Sequence, residues 1–148
     1  MADYLLDTNI ILRAVQPAAP THNIAVEAVA TILDNADNIF ITPQVLIEFW
    51  AVATRPVDSN GLGWSPALVE AEIQQIQNQF PTLDDNPDVF LNWLQLVKQH
   101  AVHGKNVHDA RLTAVMQTYG LTHLLTFNVA DFQRYPAIMV VNPAELVV

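Results

Sequence analysis

Four acidic residues stand where a folded chain could bring them together. Asp7 follows the apolar run Tyr4 to Leu6 in Leu5-Leu6-Asp7-Thr8-Asn9, and Glu48 is the one charge between Thr42 and Thr54. Asp109 opens the segment Val107-His108-Asp109-Ala110-Arg111-Leu112, and Asp131 lies just after Thr126-Phe127-Asn128. Each has an ordinary explanation. Asp is among the best helix N-caps, and an acid in a first helical turn is favoured by the helix dipole. A lone carboxylate in an apolar helix pairs with a base, here Arg13 or Arg111. The ensemble carries more weight, because 15 acids share only 6 bases. Carboxylates converging on one crevice repel each other and stay ionised most readily around a divalent cation. A chain without cysteine offers oxygen ligands, which suit Mg²⁺ or Mn²⁺ rather than zinc.

The elements that must position these acids follow from apolar period and proline punctuation. Thr42-Pro43, Ser65-Pro66, Asn86-Pro87 and Asn142-Pro143 each set an N-cap before a proline at the first helical position. Val69, Ile73, Ile76 and Phe80 then form one apolar stripe, and Val89, Phe90, Trp93, Leu94 and Val97 another. The segment Val45 to Thr54 is almost wholly apolar and predicts a deeply buried helix. Further helices fit His22 to Asn35 and Val107 to Tyr119, the latter stopped by Gly120. Short apolar runs at Tyr4 to Leu6, Ile39 to Ile41, Leu124 to Thr126 and Met139 to Val141 alternate with these helices. That alternation predicts an α/β fold, a three-layer α/β/α domain around a short, mostly parallel central sheet of about four strands. Ligands of such sheets bind beyond the carboxyl ends of the strands, where Asp7 and Thr126 to Asp131 fall. The stretch Arg55 to Ser65 reads as a flexible surface loop.

Composition bounds the chemistry further. The 148 residues suffice for one domain with its own core, and 51% hydrophobic against 14% charged residues excludes intrinsic disorder. Absence of cysteine removes disulfide scaffolds, thiolate zinc sites and a cysteine nucleophile. The opening Met1-Ala2-Asp3-Tyr4-Leu5-Leu6-Asp7 has neither the basic region nor the apolar run of a targeting segment, and no stretch has the length of a membrane span. A cytoplasmic protein with no membrane association is the expectation. The net charge of −9 argues against a basic-patch nucleic-acid binder. It is compatible with a cation site through which nucleic acid would be held.

The chain resembles the PIN-domain ribonucleases, particularly the VapC-type toxins of type II toxin–antitoxin pairs, over its whole length. The resemblance rests on Leu6-Asp7-Thr8-Asn9, on Ile47-Glu48-Phe49-Trp50, on Val107-His108-Asp109-Ala110 and on Thr126-Phe127-Asn128-Val129-Ala130-Asp131-Phe132, in this order and on these elements. It implies a single PIN domain over residues 1–148. It implies that Asp7, Glu48 and Asp109 are core catalytic metal ligands, with Asp131 a fourth, more peripheral acid. Thr8 and Thr126 would position ligands or water through their hydroxyls, and Asn128 would orient the site. Many members carry aspartate where Asn128 stands, which leaves open whether Asp131 is a direct ligand and whether one or two metals bind. The implied activity is Mg²⁺-dependent hydrolysis of RNA phosphodiester bonds. The implied partners are the RNA substrate, a small cognate antitoxin that blocks the cleft, and a second copy in a homodimer.

Rival readings are weaker. His108 adjoins Asp109, but adjacent helical residues point in different directions, so it reads as a surface histidine rather than a general base. His100, His103 and His108 match no zinc-ligand spacing. A haloacid-dehalogenase-type phosphotransferase needs a second aspartate where Asn9 stands, and a receiver domain needs an N-terminal acidic pair and a late lysine. The remaining alternative is a catalytically silent PIN-like module that captures a partner peptide in an acidic cleft.

Overall fold

A computed structural model describes residues 1–147. Its elements run β1 (Asp3–Leu6), α1 (Thr8–Ala14), α2 (His22–Asp34), β2 (Asn38–Phe40), α3 (Pro43–Thr54), α4 (Pro66–Gln79), α5 (Pro87–Gln99), α6 (Asn106–Tyr119), β3 (His123–Leu125) and β4 (Met139–Val141). The strands form one sheet in the order β2-β1-β3-β4, and every pairing is parallel. Helices on both faces complete the three-layer α/β/α arrangement, which is why Leu5, Leu6, Leu124 and Leu125 are buried in succession. The isolated parallel bridge of Ile41 to Thr82 continues the pairing beyond β2, with Ile41 N–H donating to Pro81 and Leu83 N–H to Ile41. The sequence carries no strand pattern there, because one bridge needs only backbone.

The proline-marked starts are N-caps in the structure. Thr42 Oγ1 accepts from Val45 N–H, Ser65 Oγ from Leu68 N–H, Asn86 Oδ1 from Asp88 N–H and Asn142 Oδ1 from Ala144 N–H. The last opens a single 3-10 turn, Pro143–Glu145. Gly120 ends α6 at a positive φ of 72°, the left-handed conformation that a residue without Cβ adopts most easily.

Two expectations need correction. α3 is not deeply buried all round: Val45, Phe49 and Ala53 face the core, but Ile47 is 69% and Trp50 38% exposed. Its composition is apolar on every side, so periodicity could not tell the core face from the outer one. The Arg55 to Ser65 loop lies at the surface but is tied down. Leu62 N–H donates to Val52, Gly63 N–H to Arg55 and Trp64 N–H to Ala53, and the Trp64 ring meets Phe49 edge-on at 6.4 Å. The turn closes so tightly that a Cβ on Gly61 would stand 2.0 Å from the Arg55 carbonyl oxygen.

Candidate active site

β1 has β2 on one side and β3 on the other, so the connections leave it in opposite directions and open a crevice beyond the carboxyl ends of β1 and β3. Asp7 sits at that point. It is the N-cap of α1, its backbone N–H donates to the Leu125 carbonyl, and its side chain is buried. Oδ1 accepts from Thr8 N–H at 2.7 Å, while Oδ2 accepts from Thr126 Oγ1 at 2.8 Å and Asn9 Nδ2 at 3.3 Å. The capping reading and the site reading are therefore both true of this residue. Burial raises the Asp7 carboxyl above its ordinary value, the bonds from Thr126 and Thr8 pull it back, and Asp131 pushes it further up.

Thr126, fully buried, ties the neighbouring strand end to this carboxylate. Its hydroxyl gives its proton to Asp7 and accepts from Asn9 Nδ2 at 3.1 Å and from Asn128 N–H at 3.0 Å. Asn128 itself is exposed and joins this network through its backbone N–H. The Thr8 hydroxyl is buried and has no hydrogen-bond partner.

Glu48 projects from α3 into a cavity of about 420 Å³ lined by Gln44, Ile47, Glu48, Asp85, His108 and Arg111. No ion pair with Arg13 or Arg111 forms. Arg13 bonds to Gln16, and Arg111 pairs with Asp85 at 2.9 Å. Gln44 stands between Arg111 and Glu48: Oε1 accepts from Arg111 at 3.0 Å, and Nε2 donates to Glu48 Oε1 at 2.9 Å and to the His108 carbonyl at 2.8 Å. Burial raises the Glu48 carboxyl, Gln44 counters it, Asp7 adds to it, and His108 and Arg111 lower it.

Asp109, in the first turn of α6, is half-buried and has its carboxyl pushed up to about 6. Burial is the largest cause, followed by repulsion from Asp7, Asp131 and Glu48, with Arg134 offsetting part. Asp131 is exposed on the 3-10 turn Val129–Phe132. The four acids thus share one electrostatic field, and none has a base at ion-pair distance among the described residues. His108 is exposed and His100 packs its ring edge-on against Tyr135 at 5.1 Å, which suits the structural readings of both.

Sequence reasoning missed two side chains. Asn9 joins both strand ends, because its Oδ1 also accepts from Phe127 N–H. Its position two residues after Asp7 was the available signal. Gln44 precedes Glu48 by four residues on one helix, which places the two on the same face.

The donor set fits a hard divalent cation in kind: carboxylates with no base at ion-pair distance among the described residues, with an unpartnered buried hydroxyl on Thr8 beside Asp7. Among the described residues, no three histidine, aspartate or glutamate side chains are gathered closely enough to hold a metal ion together. The acids are near enough to shift one another's protonation without meeting at a point.

Comparison with known proteins agrees with this architecture. The family model for the PIN domain matches residues 4–138. Among solved structures, VapBC2 from Rickettsia felis, bound to a DNA fragment from its promoter, is similar with a TM-score of 0.69 at 17% identity, over 95% of this chain and 98% of that one. VapBC-1 from nontypeable Haemophilus influenzae gives 0.69 at 20% identity, over 96% and 98%. Mycobacterium tuberculosis VapC20, described as a sarcin-ricin loop cleaving toxin, gives 0.63 at 17%, over 82% and 86%. At these identities the likeness is one of fold. No curated protein matches the chain.

Proposed function

The chain belongs to the PIN-domain family, and on that premise we propose that it is a divalent-metal-dependent endoribonuclease acting as the toxin of a toxin–antitoxin pair. The observation that carries the proposal is a set of four acids with no base at ion-pair distance among the described residues. In this set Asp7 is buried at the end of β1, and the Asp109 carboxyl is pushed up to about 6 by burial and then by repulsion from Asp7, Asp131 and Glu48. Repulsion of that kind costs stability and persists where a bound cation or a reaction uses it.

Asp7, Glu48 and Asp109 would hold the metal, Mg²⁺ or Mn²⁺, with Asp131 as the peripheral fourth acid. When bound, such an ion lowers the pKa of water and offsets charge on the scissile phosphate. The chain's own residues supply the rest. Thr126, Asn9 and the Thr8 N–H fix both oxygens of Asp7, so that this carboxylate is held in place before substrate arrives. Gln44 fixes one oxygen of Glu48 and leaves the other without a protein donor among the described residues. A carboxylate of the cluster takes the proton of the attacking water, and no side chain becomes a covalent nucleophile.

A small antitoxin with a basic segment would complement the cleft, and a homodimer and a cytoplasmic location belong to the same reading. One structural relative is described as a toxin–antitoxin complex from Klebsiella pneumoniae, and others as VapBC2 and FitAB bound to DNA fragments, which supports such a partner. No helix among the described residues is long and apolar enough to cross a membrane. One domain over residues 1–148 is likewise part of the proposal. Mapping of new RNA 5′ ends in cells expressing the protein tests the activity. Discrete new ends that vanish with Asp7→Asn support it. A silent module that only captures peptide would produce growth and RNA profiles identical for the two chains.

A further inference from the structure

Glu48 has an arginine within one side chain's reach and no ion pair with it. The Arg111 guanidinium is held on its far side by Asp85 at 2.9 Å and on its near side by Gln44 Oε1 at 3.0 Å. The same Gln44 amide turns its nitrogen to Glu48 at 2.9 Å, so a single amide group separates the cation from the carboxylate. The His108 carbonyl accepts the second Gln44 proton at 2.8 Å and thereby fixes which end of the amide faces which partner. Were the amide reversed, its nitrogen would confront the guanidinium, donor against donor.

We propose that Gln44 and Asp85 are positioning residues that keep the Arg111 guanidinium off the Glu48 carboxylate and so leave Glu48 free to bind a divalent cation. This rests on the reading of Glu48 as a cation ligand given above. With one terminal nitrogen, Nη2, on Asp85 and the other, Nη1, on Gln44 Oε1, the end of the guanidinium that could form a two-bond pair with the Glu48 carboxylate is already occupied. Asp85 takes up the charge at a half-exposed position, with side-chain exposures of 33% for Arg111 and 47% for Asp85, while Gln44 transmits only a neutral hydrogen bond. Only six lysines and arginines serve the whole chain, which makes the diversion of one of them consequential for the acids nearby.

The test is Mn²⁺ titration of the full chain by electron paramagnetic resonance, paired with metal-free crystal structures. Asp85 lies outside the helices, so Asp85→Ala leaves the core intact. Asp85→Ala should weaken Mn²⁺ binding about fivefold, the weight of one half-exposed ion pair competing for Glu48. Asp85→Ala with Arg111→Gln should restore the wild-type value, which a merely structural loss would not do. Gln44→Met should behave as Asp85→Ala does and be rescued by the same second substitution. The crystal structure of metal-free Asp85→Ala should show Arg111 at ion-pair distance from Glu48. Unchanged Mn²⁺ binding in Asp85→Ala, failure of Arg111→Gln to rescue, or Arg111 remaining on Gln44 in that structure overturns the proposal. Equal Mn²⁺ binding by wild type and Glu48→Gln instead defeats the assignment of Glu48 as a ligand, while the crystal structure still decides whether Asp85 restrains Arg111.

Discussion

Thr126 Oγ1 donates to Asp7 Oδ2 at 2.8 Å, joining residues 119 apart in sequence at the adjacent ends of β1 and β3. This bond makes the crevice a fixed place rather than a gap between strands. Thr126→Val keeps the shape but leaves Asp7 one donor short and deprives Asn9 and the Asn128 N–H of an acceptor. Buried polar groups left in that state cost about 1–3 kcal/mol each, so a loss of about 2 kcal/mol in urea unfolding and a strong fall in cleavage are expected. Thr126→Ser, which keeps the hydroxyl, should retain most of both.

The raised carboxyl of Asp109 fixes the direction of a pH effect. It titrates near 6 in the folded chain against an ordinary 3.8, so the folded state holds this proton more tightly than the unfolded one. The stability this confers is fully present below about pH 3.8 and is lost as the pH rises through about 6. Because the group is half-exposed, solvent screening reduces the effect to about 1 kcal/mol. Metal-free Asp109→Asn should therefore unfold at a higher temperature than wild type at pH 7 and at nearly the same temperature at pH 4, while losing cleavage. Mg²⁺ should stabilise wild type at pH 7 more than it stabilises this variant, by mass action on the folded state. Calorimetry over this pH range checks both statements.

The loop after α3 offers a steric test. With its Cβ position 2.0 Å from the Arg55 carbonyl oxygen, Gly61→Ala must push backbone against backbone. A cost of about 2 kcal/mol is expected, within the range of overpacked sites. Substitution of the exposed Asp58 in the same loop should cost less than about 0.5 kcal/mol in denaturant unfolding.

α3 supplies a paired test of burial. Phe49→Ala, at a fully buried ring, should cost about 3–5 kcal/mol, whereas Ile47→Lys, on the exposed face, should leave stability within about 0.5 kcal/mol. Thermal unfolding of the two variants separates the core face of the helix from its outer one.

These cases show which parts of the molecule were legible in advance. Thr42, Ser65, Asn86 and Asn142 announce their turns because a cap and a following proline act within a few residues. Asp7 and Asp109 were readable for the same local reason, each standing at a helix start. The burial face of α3 was not, since an all-apolar helix carries no contrast between its sides. The partner of Arg111 was beyond reach too: Asp85 and Gln44 compete with Glu48 for it, and the outcome depends on tertiary placement that brings Gln44 of α3 and Asp85 beside Arg111 of α6. Asn9 lay in view, but its role depends on Thr126 and Phe127, brought beside it by the parallel pairing of β1 with β3.

The most direct measurement is cleavage of a 5′-labelled structured RNA by the purified chain with Mg²⁺, with EDTA, and with Asp7→Asn in place of wild type. Wild type should cut with Mg²⁺ to leave 5′-phosphate and 3′-hydroxyl ends, and should fail in EDTA. Asp7→Asn should fail in both. Full Mg²⁺-dependent cleavage by Asp7→Asn, or undiminished cleavage by wild type in EDTA, contradicts the assignment of the β1/β3 crevice as a metal-dependent nuclease site.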